Sequence, residues 1–199
     1  ALNQKSIARK AAKLLGKTYE EARLIVIHMG GGVSVAAHEN GLAVDDFNVK
    51  DEGAFGMDRA GSLPVNAMIN LCFSGLTKQE VKKLLGSEAG AYSYVGTKDF
   101  REVERRAFEE NDPDCRMVFD AMAYQLAKDI GAMAAVLKFQ VDAIVYTGGM
   151  AYSDRFTQAI TDYVGNLAPV LRLPGEEEMR SLAEGALRVL HGEQAKVYP

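Results

Sequence analysis

Two glycine-rich turns follow apolar segments of this 199-residue chain and are the first candidates for chemistry. Gly30–Gly32 comes after His28 at the end of a β-branched run, and the pair Gly148-Gly149 ends a later apolar run. Glycine lets a backbone approach a phosphate closely and turn its N–H groups toward the anion. His28 could donate a hydrogen bond to a phosphoryl oxygen at the first turn. Each turn also fits a purely structural role, so both interpretations stay open at this point.

Charged side chains elsewhere in the chain could complete an anion site. Arg59 stands in a polar, glycine-rich loop predicted from Asp45 to Pro64, where a guanidinium could hold a carboxylate or a phosphate with two hydrogen bonds. A surface ion pair with Asp58 or Asp51 would explain the same residue. Three acids, Glu176-Glu177-Glu178, open the last predicted helix, where they suit the helix dipole, and one of them could reach a phosphate-bound Mg²⁺.

The hydrophobic pattern predicts an α/β unit with meandering strands early and a parallel crossover late. Helices are expected at 4–15, 65–73, 78–85, 99–109, 113–137, from about 153 and at 176–190, and strands at 24–27, 33–38, 42–44, 141–146 and 170–173. Asn40-Gly41 indicates a hairpin, and Thr77 with Glu80 has the spacing of a capping box. The second glycine pair lies at a strand–turn–helix junction, the place where open α/β sheets bind ligands.

Composition excludes several classes of protein. Hydrophobic residues make up 48% and charged residues 25% of the chain, as in ordinary globular domains. The formal net charge of −4 argues against a basic nucleic-acid footprint, and no apolar run approaches the roughly 18 residues of a membrane helix. Cys72 and Cys115 lack CxxC spacing and are expected to be free thiols in a reducing compartment, which predicts a cytoplasmic protein.

Other nucleotide and metal signatures do not fit. The first turn lacks GxGxxG spacing and is followed by a predicted strand, which disfavours a dinucleotide-dependent oxidoreductase. No Gly-Lys-Ser/Thr sequence of a Walker loop is present, and the three histidines do not show metal-ligand spacing. A pure interaction domain, in which the long helix at 113–137 serves a homodimer, stays as a rival.

The segment His28-Met29-Gly30-Gly31-Gly32-Val33-Ser34 resembles the HxGxGxS signature of the acetokinase family, and its three glycines resemble the butyrate kinases within that family. Further matching segments, spread in order over nearly the whole chain, lie at 1–5, 51–53, 59–64 and 174–179.

This resemblance implies an actin-like (ribonuclease H-like) ATPase fold of two duplicated lobes, with nucleotide in the cleft between them. Residues 1–22 are then a helix belonging to, or leading from, a missing amino-terminal lobe. Residues 23–199 are the carboxy-terminal nucleotide-binding lobe, a mixed sheet flanked by helices. The family's first phosphate-binding hairpin has no counterpart here, so the chain is expected to carry half a site and to be inactive alone. The resemblance separately implies a homo-oligomer formed through the carboxy-terminal lobe.

The resemblance also assigns roles to single residues. Two residues are assigned as catalytic: Arg59 matches the arginine that holds the carboxylate and the phosphoryl group, and His28 belongs with Gly30–Gly32 to the second phosphate clasp. Glu177 matches a Mg²⁺-associated glutamate, although Glu176 and Glu178 leave its register open. Gln4 falls beside the transferred phosphoryl group, where acetate kinases carry a histidine. The nucleotide- and phosphate-binding positions are Gly30, Gly31, Gly32, Ser34, Gly148, Gly149 and Met150.

The implied reaction is ATP + butyrate = ADP + butyryl phosphate, by direct in-line transfer with Mg²⁺. A branched-chain, propionate or acetate kinase is an alternative, because Gly56-Met57-Asp58 departs from the butyrate kinases, although Gln4 argues against an acetate kinase proper. A second alternative is a non-catalytic, regulatory ATP-binding module of the same fold. An arginine in the Asp51–Pro64 loop that handles a carboxylate favours the acid kinase.

Overall fold

A computed structural model describes residues 2–175 and 178–192. In this part of the chain five strands form one sheet and eight α-helices surround it. The strands are β1 Leu24–Met29, β2 Val33–Glu39, β3 Leu42–Asn48, β4 Ala143–Gly148 and β5 Val170–Pro174. The helices are α1 Leu2–Leu14, α2 Val65–Cys72, α3 Lys78–Ser87, α4 Gly90–Val95, α5 Phe100–Phe108, α6 Pro113–Val136, α7 Asp154–Val164 and α8 Glu178–Leu190.

The strand order is β3-β2-β1-β4-β5. β1, β2 and β3 pair antiparallel, whereas β4 pairs parallel with β1 and β5. The predicted meander followed by a parallel crossover is confirmed. In this register His28 of β1 lies between Ser34 of β2 and Thr147 of β4. The carboxyl ends of the parallel strands β1 and β4 therefore meet at one edge of the sheet, and each ends in a glycine turn.

Alternation along the central strand β1 divides the core into two layers. Ile25, Ile27 and Met29 belong to the layer that packs on α6, while Leu24 and Val26 belong to the layer that packs on α1. Residue alternation thus places His28 on the same face as Leu24 and Val26, facing α1.

Helix α6 supplies most of the larger layer. Ten of its residues are buried, and Phe119 contacts the rings of Phe100, Phe108 and Phe156. Each large side chain buried in this way contributes about 1.5–3 kcal/mol. Because the apolar stripe of α6 is used within the chain, it is not available to a second copy. Exposed side chains such as Met117 and Tyr124 remain on the other face of the helix.

The predicted hairpin turn and the predicted capping box are both present in the structure. Asn40 and Gly41 turn the β2–β3 hairpin with left-handed φ angles of 53° and 72°. Thr77 and Glu80 form the reciprocal capping box that begins α3.

Both cysteines are free, and burial raises the pKa of Cys115 to about 11. No helix of the described residues is long and apolar enough to cross a membrane.

One local prediction was wrong, and two short elements were not predicted. β3 continues to Asn48 instead of ending at Val44, because Asp45 and Asp46 pair with the neighbouring strand while their charged side chains stay exposed on the sheet edge. Helix α4 was missed, since six residues are too few to show a helical period. A short 3-10 helix, Gly149–Tyr152, separates β4 from α7.

Candidate functional site

A cleft of about 880 Å³ opens at the carboxyl ends of β1 and β4. Both glycine turns line it, through Gly30 and Gly31 on one side and Gly149 and Met150 on the other. Met57 of the long loop after β3 also lines it. The other lining residues come from the loop before α5, from α5 itself and from the turn that leads into α7: Lys98, Asp99, Phe100, Arg101, Glu104, Tyr152 and Ser153. The volume and the mixture of apolar and charged walls suit a small organic ligand with a polar end.

The two glycine turns lie side by side because of Gly148. Its φ of +88° is the left-handed conformation, and a Cβ at this position would overlap the carbonyl group of Met29. Glycine therefore allows the end of β4 to touch the end of β1. The sequence predicted two separate turns, and the sheet joins them into one cleft.

Arg59 lies directly over the first glycine turn. A Cβ at Gly32 would overlap the Arg59 guanidinium at Nη1, so the turn leaves room for this arginine. The Arg59 side chain is 32% exposed, and its Nε lies 3.8 Å from Oδ1 of Asp58. Arg59 also lines a second cavity of about 630 Å³ between its own loop and helices α2 and α3. The guanidinium thus places a positive charge beside the N–H groups of the turn and stays open to solvent.

The loop that carries Arg59 is tied to α6 by hydrogen bonds from its backbone. The N–H of Ala54 donates to Oδ2 of Asp129 at 2.7 Å, and the N–H of Phe55 donates to Oε1 of Gln125 at 3.2 Å. Burial raises the pKa of Asp129, although the Ala54 hydrogen bond acts in the opposite direction. Sequence reasoning missed both anchors. The available signal was a polar pair spaced i, i+4 inside an apolar helix.

His28 and Ser34 lie on the face of the sheet that α1 covers, next to the first turn. Nδ1 of His28 is 3.1 Å from Nδ2 of Asn3, which lies at the start of α1. Gln4 is buried, and its Nε2 donates to Oγ of Ser34 at 3.0 Å and to the carbonyl oxygen of Val26 at 3.3 Å. The structure therefore brings Gln4, Ser34 and His28 together, and it engages the carboxamide of Gln4 inside the protein. Whether Gln4 also lies beside a phosphoryl group stays a prediction.

His38 belongs to the same group of residues, although the sequence gave no functional signal for it. Its ring is fully buried, with Nδ1 2.8 Å from the hydroxyl of Tyr19 and Nε2 3.3 Å from Oε1 of Gln4. Burial, followed by the nearby positive charge of Lys5, lowers the pKa of His38 to about 4. The ring is therefore neutral near pH 7, with one nitrogen that donates and one that accepts.

The predicted metal ligand falls outside the part of the chain that the structure describes. Glu176 and Glu177 fall outside the described residues, and Glu178 begins α8. Within residues 2–175 and 178–192, no three His, Cys, Asp or Glu side chains with a described placement are grouped to hold a metal ion. An ion carried largely by nucleotide phosphates needs fewer protein ligands than that. The role of Glu177 toward Mg²⁺ stays a prediction.

Comparisons with known proteins agree with this architecture. The model of the acetokinase family matches residues 3–180. Butyrate kinase 1 and butyrate kinase 2 of Clostridium acetobutylicum are 47% and 48% identical to the whole chain, which covers 56% of each. The chain thus spans about half the length of these curated relatives.

A solved structure shows the shared fold. Acetate kinase from Porphyromonas gingivalis superposes with a TM-score of 0.84 at 22% identity, over 95% of this chain and 54% of that one. The predicted mixed sheet with flanking helices, as in one lobe of an actin-like fold, is confirmed.

Proposed function

Because the chain belongs to the acetokinase family, we propose that the intact protein is a short-chain fatty-acid kinase that phosphorylates butyrate. The observation that supports this proposal best is the Arg59 guanidinium lying over the glycine turn at Gly32. A positive charge that can pair with a carboxylate is thereby held beside backbone donors that suit a phosphoryl group.

The proposed reaction is a direct transfer. A carboxylate oxygen of butyrate forms a bond to the γ-phosphorus of ATP, the bond from that phosphorus to the β,γ-bridging oxygen breaks, and ADP leaves with the electron pair. No proton transfer and no covalent intermediate on the protein are needed. Catalysis then depends on bringing two anions together in line and offsetting their repulsion.

Each predicted site residue except Gln4 has a task in this proposal. Arg59 offsets the charge of the carboxylate and the phosphoryl group, and His28 donates to a phosphoryl oxygen. Gly30–Gly32 and Ser34 bind phosphates. Gly149 and Met150, which line the 880 Å³ cleft, take the adenosine side together with Gly148 before them. When bound, Mg²⁺ supplies further positive charge to the phosphates, with Glu177 as its proposed protein partner.

The same proposal extends to the rest of the protein. Residues 1–22 lead from an amino-terminal lobe, and residues 23–199 form the carboxy-terminal lobe, so that ATP and the acid bind between the two. We further propose a cytoplasmic homodimer. Light scattering on the intact protein would then give twice the monomer mass, whereas a monomer would overturn the dimer.

An acyl-phosphate assay tests the activity. The intact protein receives Mg-ATP with acetate, propionate, butyrate or isobutyrate, and hydroxylamine traps the product as a hydroxamate. We expect the four-carbon acids to react best. Preference for acetate or propionate would correct the acid, and ATP binding without any product would favour a regulatory nucleotide-binding module instead.

Arg59 is tested in the same assay. Arg59→Ala is expected to lower kcat/KM by roughly a hundredfold or more, since it removes a charge that offsets the repulsion between the two anions. Arg116→Ala is the matched control, because Arg116 is a half-exposed arginine that pairs with Asp120 and lies over the ring of Phe108, away from the cleft. Full turnover by Arg59→Ala would remove Arg59 from the mechanism.

A further inference from the structure

Four polar side chains form a continuous hydrogen-bonded chain that leads along β2 toward the first glycine turn. The chain runs from the Tyr19 hydroxyl to His38, on to the carboxamide of Gln4, and ends at Oγ of Ser34. Tyr19, His38 and Gln4 are all buried, so water does not compete for these bonds. The proposed reaction gives no role to Tyr19 or His38.

The direction of every bond follows from one carbonyl group. The carbonyl oxygen of Val26 can only accept, so the NH₂ group of Gln4 must face it, and the same nitrogen donates to Ser34. Oε1 of Gln4 is then the atom that faces His38, and it can only accept. Nε2 of His38 therefore carries the proton, which leaves Nδ1 as an acceptor for the Tyr19 hydroxyl.

The last member of the chain differs from the others. Ser34 accepts from Gln4, so its own proton is available for another acceptor. Among residues 2–175 and 178–192 the structure gives that proton no acceptor. Ser34 pairs across the sheet with His28, and both side chains lie beside the glycine turn.

We propose that Tyr19, His38 and Gln4 are positioning residues that hold the Ser34 hydroxyl as a hydrogen-bond donor toward a phosphoryl oxygen of the bound nucleotide. The inference rests on the proposed function only in that a phosphate lies at this turn. A serine hydroxyl free to rotate could present a lone pair to an anion, and the bond from Gln4 disfavours that orientation because it occupies one of the two lone pairs of Oγ. The preference of the Ser34 hydroxyl for an anionic acceptor is thus set by Gln4, His38 and Tyr19, which do not touch the ligand themselves.

The tautomer of His38 gives the first test, which is made on the unmodified protein and uses a variant only to assign the signal. In the intact protein labelled with ¹⁵N-histidine, long-range ¹H–¹⁵N spectra distinguish a protonated nitrogen from a bare one, and loss of the signal in His38→Gln assigns it. We expect the proton on Nε2 and a bare Nδ1. A proton on Nδ1 would reverse every bond in the chain and overturn the proposal.

A double-mutant cycle on nucleotide affinity gives the second test. Binding of the non-hydrolysable analogue AMP-PNP is measured by calorimetry for Gln4→Met, Ser34→Ala and the double variant. Each single change is expected to weaken binding roughly tenfold, and the double variant should bind no more weakly than Ser34→Ala, since Gln4 acts through Ser34. Losses that multiply to roughly a hundredfold would overturn the proposal, because Gln4 would then act independently of Ser34.

Two conservative changes separate positioning from structure. Ser34→Thr keeps a hydroxyl that can accept from Gln4, so it should restore most of the affinity lost in Ser34→Ala. Tyr19→Phe should weaken AMP-PNP binding, whereas Tyr146→Phe should not, although the Tyr146 hydroxyl is also buried in a hydrogen bond, to Thr161. Equal effects of the two tyrosine changes would indicate a general packing role and overturn the proposal.

The tautomer and nucleotide-binding tests can succeed or fail independently of the activity assay. If no acid yields a hydroxamate while the tautomer and the cycle come out as expected, the proposed carboxylate kinase fails and the positioning chain stands. If butyrate is phosphorylated but the cycle is additive, the positioning chain fails and the kinase stands.

Discussion

At the scale of single residues, two glycines shape this site because they carry no side chain. Gly32 leaves room for the guanidinium of Arg59, and Gly148 lets the end of β4 touch Met29. Both glycines belong to turns whose spacing in the sequence suggested phosphate binding. The structure adds a physical reason for each, namely close approach by an arginine and close approach by a neighbouring strand.

Gly32→Ala is expected to impair activity without unfolding the protein. The added methyl group overlaps Arg59 Nη1, so the guanidinium must move away from the turn, and kcat/KM in the hydroxamate assay should fall roughly tenfold or more. The melting temperature should change little, because the obstructing atom lies at the end of a flexible side chain.

Gly131→Ala is the matched control. Nothing outside its own helix lies within 4 Å of the added Cβ, and the residue sits inside α6, where alanine is favoured. Activity should stay at the wild-type value. If Gly32→Ala also kept full activity, the contact between the turn and Arg59 would not contribute to catalysis.

At the scale of elements, helix α6 both fills the core and fixes the loop that carries Arg59. Its buried stripe packs under the sheet, while Asp129 and Gln125 accept hydrogen bonds from the backbone of Ala54 and Phe55. A long loop without regular structure is held in place by a rigid element. Packing of α6 is thereby connected to the position of the guanidinium.

Asp129→Ala should therefore affect both stability and the loop. The Ala54 N–H loses its acceptor in a half-buried place, which costs about 1–3 kcal/mol in the free energy of unfolding. Urea denaturation measures this loss, and limited proteolysis should cut faster between residues 51 and 64. Asp129→Asn keeps an acceptor oxygen and should lie close to wild type. Unchanged proteolysis in Asp129→Ala would show that the loop is held by other contacts.

At the scale of the whole molecule, the buried His38 connects folding to pH. Its folded pKa of about 4 lies below the ordinary value of 6.5, so the unfolded chain binds the proton more tightly. Stability from this group is fully present above pH 6.5 and is lost as the pH falls toward 4. The loss at pH 5 amounts to about 2 kcal/mol.

Urea denaturation at pH 7 and at pH 5 checks this prediction. Wild type should lose stability between the two pH values, and His38→Gln should lose about 2 kcal/mol less over the same interval, since it has no ring to protonate. His191→Gln, at an exposed turn after α8, should follow wild type. A wild-type protein whose stability is the same at pH 5 as at pH 7 would contradict the buried, neutral ring.

Local patterns in the sequence determined most of the elements. The hydrophobic pattern predicted the strands and the core stripe of α6, and residue types predicted the hairpin at Asn40-Gly41 and the capping box at Thr77. All of these features depend on neighbours only a few residues apart in the sequence. The motif around His28 and Gly30–Gly32 likewise identified the acetokinase family.

Only the tertiary structure decided which distant residues share a site. Arg59 meets Gly32, Asp129 holds Ala54, and Tyr19 and His38 connect to Gln4 and Ser34 across α1, β1 and β2. Such contacts depend on strand register and on which face of a helix is buried, and no local pattern encodes both. His38 has no catalytic neighbour in sequence, and its role follows from burial in the layer between the sheet and α1.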